Sequence, residues 1–230
     1  VNFFADSFAQ ALGLIGAGDA ALLRIVATSL VAAVGAVIAA SLIAIPAGIA
    51  TALGEFRGKS TLKHGLNALM ALPTVVVGLL LYGLLSRRGP LGEFGLLYSP
   101  VAMTIGQTVL IVPLIWNLVL TAVEGKDPRL AFTCRALGAN AWQRALIFAH
   151  ETRYAMVSSM IMGFGRAIGE VGVAMMLGGN IAGYTRTMTT AIALETSKGE
   201  FALALALGLV LLAVALLVNF ALSVLQGRRI

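Results

Sequence analysis

Residues 25–54 read IVATSLVAAVGAVIAASLIAIPAGIATALG, thirty positions without one charged side chain. Crossing the hydrocarbon core of a bilayer as a helix takes about 20 predominantly apolar residues. A helix that is apolar all round has no face to offer water, so it is buried in a large core or in lipid. Composition decides between the two. Of 230 residues, 59% are hydrophobic and only 11% charged, and the mean hydropathy is +0.95. Soluble domains carry roughly 25% charged residues, so this chain lacks the polar surface a soluble fold needs. The stretch is read as a membrane span.

Four further runs are long enough to cross. Residues 65–86, 94–123 and 201–227 are charge-free, whereas 154–178 holds Arg166 and Glu170. The expected fold is an all-α membrane protein of about five transmembrane helices, forming one domain over residues 1–230. Runs of about 30 residues exceed the need, which implies tilt or partial use. Pro46 lies near the end of the first run, and Pro73 and Pro113 lie inside the second and third. Proline removes a backbone hydrogen bond and bends a helix, and neighbouring helices make that tolerable in a bundle. The 26 glycines allow helices to approach closely.

The net charge of +6 follows the links rather than a nucleic-acid face. Arg57, Lys59, Lys63, Lys126, Arg129, Arg135, Arg144, Arg153, Arg228 and Arg229 fall in one alternate set of links, and Arg24, Arg87, Arg88, Arg186 and Lys198 in the other. Ten against five places the 124–153 link and the C-terminus in the cytoplasm and the N-terminus outside, in a cytoplasmic (inner) membrane. Arg87-Arg88 runs against that bias. Within the N-terminal segment 1–22, residues 3–15 are too short to span. Phe4, Phe8, Leu12 and Ile15 share a helical face, which fits an interfacial helix or one packed on the bundle flank. No basic stretch precedes an apolar run at the N-terminus, so no cleavable leader is expected. Cys134 is the lone cysteine, so no internal disulfide and no metal site are expected. His64 and His150 read as surface residues.

The link 124–153 is too long for a turn. Asp127-Pro128 is a helix start, Gly138 interrupts, and Asn140 caps a second short helix. Phe132, Leu137, Trp142, Leu146 and Phe148 supply apolar anchors, with Arg135, Gln143 and Arg144 as a polar rim. An aromatic anchor with a polar rim is how interface hot spots look, although the link packing flat on its own bundle stays open on composition alone.

The segment LAFTCRALGANAWQRALIFAHE (130–151) resembles the cytoplasmic loop of ABC importer permeases, above all in ALGANAW. It departs at both ends: Phe132-Thr133-Cys134 stand where the family has Glu-Ala-Ala, and Phe148, His150 and Glu151 where it has Ile, Leu and Pro. GRAIGEVGVAMMLGGNIAGYTRTMTTAIALETSKGEFALALALG (165–208) is similar to the permeases for tetrahedral oxyanions, and Gly178-Gly179-Asn180-Ile181 with Glu151-Thr152-Arg153 looks most like their tungstate branch. The resemblance runs over nearly the whole chain. It implies a type I ABC importer permease fold, a homodimer, a separate ATPase dimer and an extracytoplasmic substrate-binding protein. It also implies that Arg135, Ala136, Leu137, Gly138, Ala139, Asn140, Trp142 and Arg144 form a coupling helix for the ATPase. No Gly-x4-Gly-Lys-Ser/Thr run occurs, so a non-catalytic permease is expected, with no cofactor of its own and with ATP and magnesium held by the partner.

Arg166 and Glu170 are four apart, hence on one face of a helix. A charge facing lipid is costly, so the expected face is the bundle or a cavity. A structural ion pair and a gate latch are both open. Gly178, Gly179 and Asn180 break the helix, and their freed N–H groups suit an anion. Thr185 and Thr187 add neutral donors to such a path. Molybdate and sulfate stand as alternative substrates. Rivals of another class are a proton-coupled transporter working through Glu170 and a membrane scaffold.

Overall fold

The computed structural model describes residues 3–227. Among them every regular element is helical: α1 (Phe3–Gly16), α2 (Ala20–Leu53), α3 (Lys59–Met70), α4 (Thr74–Leu85), a 3₁₀ turn (Gly92–Phe94), α5 (Pro100–Glu124), α6 (Pro128–Ala136), α7 (Ala141–Glu151), α8 (Arg153–Ile168), α9 (Gly172–Gly178), α10 (Met188–Lys198) and α11 (Phe201–Gly227). The all-α expectation holds. Three helices, α2, α5 and α11, are each long and apolar enough to cross a membrane, and bent pairs raise the number to at most five.

Two expected spans are not single helices. The run 65–86 is split into α3 and α4 at a 96° bend, and the run 154–178 into α8 and α9 at a 64° bend. Pro73 explains the first, because a residue before proline is pushed out of the helical region, and Leu72 sits there. The second falls at Gly169-Glu170-Val171. The other boundaries shift modestly. The first span begins at Ala20, where Asp19 accepts the N–H groups of Ala21 and Leu22 at 2.8 and 2.9 Å. The third begins at Pro100, after the Ser99 cap.

The packing axis is α2 against α5. On α2 the buried stripe Ala33, Ala36, Ala40, Ala44 and Gly48 recurs at helical spacing and brings the backbones close. A Cβ on Gly48 would sit 2.9 Å from Val119 Cβ and 3.1 Å from the Trp116 carbonyl oxygen. The main core gathers side chains from α2, α5, α8, α10 and α11. A second, smaller core joins α4, α9 and the start of α5 through Leu85, Ala102, Val173 and Leu177.

α1 packs along α11. Ser7 and Ala11 are buried, Leu14 and Ile15 meet the main core, and Phe3 lies 5.3 Å from Phe201 between ring centroids. Flank packing is therefore what the structure shows. Phe4, Phe8 and Leu12 stay exposed, so the apolar face expected from periodicity is largely the outward one, and Ile15 parts from it.

Charged links gather where α5 ends. Lys59 and Lys63 of α3 both bridge Glu124, Lys126 reaches Glu151 at 3.7 Å, and Arg135 reaches Glu55 at 3.1 Å. The links drawn together there are those grouped by the basic-residue count. Arg228 and Arg229 lie outside the described residues.

Close packing at Gly106 gives a direct test. A Cβ there would sit 2.3 Å from Val173 Cγ1 and 2.5 Å from Leu177 Cδ1, whereas at Gly35 the nearest atom is 3.4 Å away. Gly106→Val should destabilise the detergent-solubilised protein by about 1–3 kcal/mol, seen as a lower thermal transition, with Gly35→Ala close to wild type.

Candidate functional site

The 124–153 link is a helical hairpin. Asp127 Oδ1 accepts the Arg129 N–H at 2.8 Å, and Pro128 takes the first helical position. Gly138 makes the turn at φ +75°, a conformation that favours glycine. Its N–H donates to the Arg135 carbonyl at 3.0 Å, and the Ala139 N–H to that of Cys134 at 2.9 Å. Asn140 and Gln143 then cap α7 reciprocally at 2.8 and 2.9 Å, a capping box.

This arrangement presents an apolar tip. Leu137 is 81% exposed, Phe132 75%, Trp142 71% and Leu146 51%. Ala136 and Asn140 are exposed beside them and Ala139 is half-buried. Phe148 is a correction: it is buried in the main core, because it lies on the face of α7 that turns toward the bundle. The polar rim is also reassigned. Arg135 pairs with Glu55, and the Gln143 side chain is spent on its cap. Arg144 lines a cavity of about 250 Å³ at the hairpin's foot with Ala52, Leu53, Lys126 and Phe148.

The intramembrane residues converge on the break between α8 and α9. Helix α8 ends at Ile168, so Arg166 and Glu170 do not share a helix face. No ion pair joins them. Arg166 is exposed on the last turn of α8, while Glu170 is buried and its Oε1 accepts the Val173 N–H at 3.2 Å. The spacing argument failed because it assumed a continuous helix.

A broken helix leaves carbonyls without partners, and in a membrane other protein groups must supply them. The Ala167 carbonyl accepts the Glu170 N–H at 3.2 Å and a second bond from Gln107 Nε2–H of α5, also at 3.2 Å. Thr189 of α10 donates its hydroxyl to the Glu170 carbonyl at 2.8 Å. Ser29 of α2 accepts the Met188 N–H at 2.7 Å, tying α10 to α2.

The C-terminal end of α9 is closed in the same way. Gly179 and Asn180 adopt φ +70° and +52°, so the expected break is present. Part of its backbone is taken up within the fold. The Gly179 N–H donates to Met175 at 3.0 Å. Thr185 donates its hydroxyl to the Gly178 carbonyl at 2.5 Å and accepts the Ile181 N–H at 3.0 Å. The Tyr98 N–H donates to the Leu177 carbonyl at 2.8 Å. Thr187 caps α10 reciprocally with Thr190, and its hydroxyl lies 3.1 Å from that of Thr189. Thr185, Thr187, Thr189 and Thr190 are all buried. Thr189 holds the bend, Thr185 the end of α9, and Thr187 and Thr190 the start of α10.

Sequence reasoning missed Gln107, Ser29 and the Tyr82–Tyr98 pair, whose hydroxyls lie 3.2 Å apart. The available signal was polarity. Gln107 is a lone amide in the first half of a charge-free run, and such a group in lipid depth needs a partner.

An all-helical, multi-pass membrane chain with two bent spans and an exposed apolar hairpin at one end has the build of a transporter permease. The comparisons with known proteins agree. The chain is 39% identical to the tungstate uptake system permease protein TupB of Campylobacter jejuni, over 96% of this chain and 92% of that one. It is 36% identical to the TupB of Peptoclostridium acidaminophilum, over 98% and 99%. It is also 33% identical to the molybdenum transport system permease protein ModB of Escherichia coli, over 63% and 68%. No protein-family model matches. The chain belongs to the tungstate uptake permease family, within the ABC permeases for oxyanions.

The bend makes its own prediction. Thr189→Val leaves the Glu170 carbonyl buried without its donor and should lower stability by about 1–3 kcal/mol. Thr189→Ser keeps the hydroxyl and should stay near wild type in the same thermal assay.

Proposed function

We propose that this chain is the transmembrane subunit of an ATP-driven tungstate importer. The observation that carries the reading is identity to tungstate uptake permeases over nearly the full length, joined to a hairpin whose tip exposes Leu137 and Trp142. An exposed leucine–tryptophan patch on a polar end of the molecule favours a partner. In this reading the partner is the ATPase, which binds ATP and magnesium, while the permease itself is non-catalytic. Residues 135–144, including Gly138 and Asn140, form the coupling helix.

Two permeases associate about a two-fold axis, with the path between them. A substrate-binding protein delivers the anion from outside. The N-terminus is outside and the C-terminus cytoplasmic, as the basic-residue bias favours. The whole of 1–230 acts as one permease domain, whose N-terminal segment 1–22 carries α1 and leads into α2. Arg166, an exposed cation on α8, is available to an oxyanion on the path. Glu170 and the framework of Gly178, Gly179, Asn180, Thr185 and Thr187 set the bent wall beside it. ATP-driven closure of the ATPases moves the hairpins and switches access.

Proteoliposomes holding the permease, its ATPase and its binding protein should take up tungstate only with ATP. Uptake driven by a proton gradient without the ATPase would overturn the reading, and preference for molybdate or sulfate would reassign the anion. Leu137→Asp places a carboxylate in the docking contact, where desolvation costs on the order of several kcal/mol. Trp142→Ala should remove about 2 kcal/mol, roughly 30-fold in affinity. Both should reduce ATPase co-purification while the permease stays folded. Wild-type co-purification from both variants would sink the hairpin's role.

A further inference from the structure

The pair Arg87-Arg88 runs against the basic-residue bias that explains the other links, so membrane topology does not account for it. The structure shows where it sits. Residues 86–99 close α4 onto the start of α5, whereas the hairpin follows the end of α5. Helix α5 has 25 residues, so the two features lie about 37 Å apart along it. The turn is therefore at the end opposite the hairpin.

The turn is built rigidly. The Gly89 N–H donates to the Ser86 carbonyl at 2.7 Å, Leu91 to Leu84 at 3.0 Å, Gly92 to Gly89 at 3.0 Å, and Gly95 to Gly92 at 3.1 Å. There is no room for side chains at its two crossing points. A Cβ on Gly89 would lie 2.1 Å from the Gly83 carbonyl oxygen, and one on Gly92 2.3 Å from that of Ser86. On this frame Arg87 and Arg88 are exposed, and among the described residues neither has a carboxylate within ion-pair distance. Glu93, in the same turn, is exposed and pairs with neither. Phe94 stands 70% exposed at the tip. Beside them opens a cavity of about 420 Å³ with Arg87, Ser86, Tyr82 and Tyr98 on its wall.

We propose that this turn is a docking knob for an acidic surface of the substrate-binding protein, with Arg87 and Arg88 taking carboxylates and Phe94 as the apolar anchor. The inference rests on the importer reading and on its outside-facing orientation, and it names the contact by which the delivering protein is recognised. Arginine's planar fork suits bidentate carboxylate contacts, and arginine and aromatic residues are the usual anchors of protein interfaces. Preorganisation separates a protein partner from a lipid surface. A glycine-locked turn loses little freedom on docking, whereas holding diffuse lipid headgroups needs no fixed frame. The cavity takes one acidic side chain beside Arg87 and the tyrosine hydroxyls.

The test uses the complete importer in nanodiscs of neutral lipid, titrated with its tungstate-loaded binding protein. Arg87→Glu/Arg88→Glu should weaken association at least about tenfold, slow the on-rate and flatten its salt dependence. Arg87→Lys/Arg88→Lys should recover part of the loss, and Phe94→Ala should raise the off-rate. ATP hydrolysis without binding protein should stay at wild-type level in every variant, which reports that the complex is intact. Unchanged association in the charge-reversed variant overturns the knob alone. Failure of the wild-type complex to bind the loaded protein overturns the importer reading and the knob with it. A defect that appears only with anionic lipid assigns the arginines to the membrane surface and also overturns the proposal.

Discussion

A backbone carbonyl freed inside a membrane must find a donor within the protein, and the centre of this molecule is organised by that demand. Helix α8 stops at Ile168 and α9 restarts at Gly172. The Glu170 carbonyl is then served by Thr189 from α10, while that of Ala167 accepts the Glu170 N–H and a further bond from Gln107 of α5. Each unsatisfied group would cost several kcal/mol in hydrocarbon. The bend is therefore held by two other elements at once. Ser29 on α2, accepting the Met188 N–H, satisfies the start of α10 in the same way.

Around that centre, helix approach is set by small residues. Gly48 and the alanines of α2 let it lie close against α5, and Gly78, Gly106 and Gly178 do the same for α4, α5 and α9. Lipid supplies no hydrophobic drive between helices, so association depends on such close contact and on buried polar bonds. The division into a main core and a smaller α4–α9 core follows from the two bends. Each bend redirects a helix out of one packing layer and into another.

The two ends of α5 have opposite characters. At its C-terminal end a set of exposed ion pairs, each worth about 0–1 kcal/mol, ties α3 and the hairpin to the bundle while leaving the apolar tip uncovered. At its N-terminal end a glycine-locked turn holds two arginines without carboxylates. The two ends thus differ in chemistry, an exposed apolar tip at one and two exposed arginines on a rigid turn at the other.

Much of this was written in the sequence. Charge-free runs marked the membrane chain, Asp127-Pro128 and Asn140 marked the hairpin helices, and the segment 165–208 carried the oxyanion-permease resemblance. These depend on local composition and capping, which are readable position by position. Only the tertiary structure decided the rest. It gave the bend expected at Pro73 its angle of 96° and showed a second one, of 64°, at Gly169-Glu170-Val171. It separated Arg166 from Glu170, turned Phe148 into the core, and gave the Thr185 and Thr189 hydroxyls to the carbonyls of Gly178 and Glu170. The reason is physical: whether a span bends, and which side chain satisfies the break, depends on donors supplied by helices distant in sequence. Glu170's carbonyl meets Thr189, nineteen residues on, and Ala167's meets Gln107, sixty residues back.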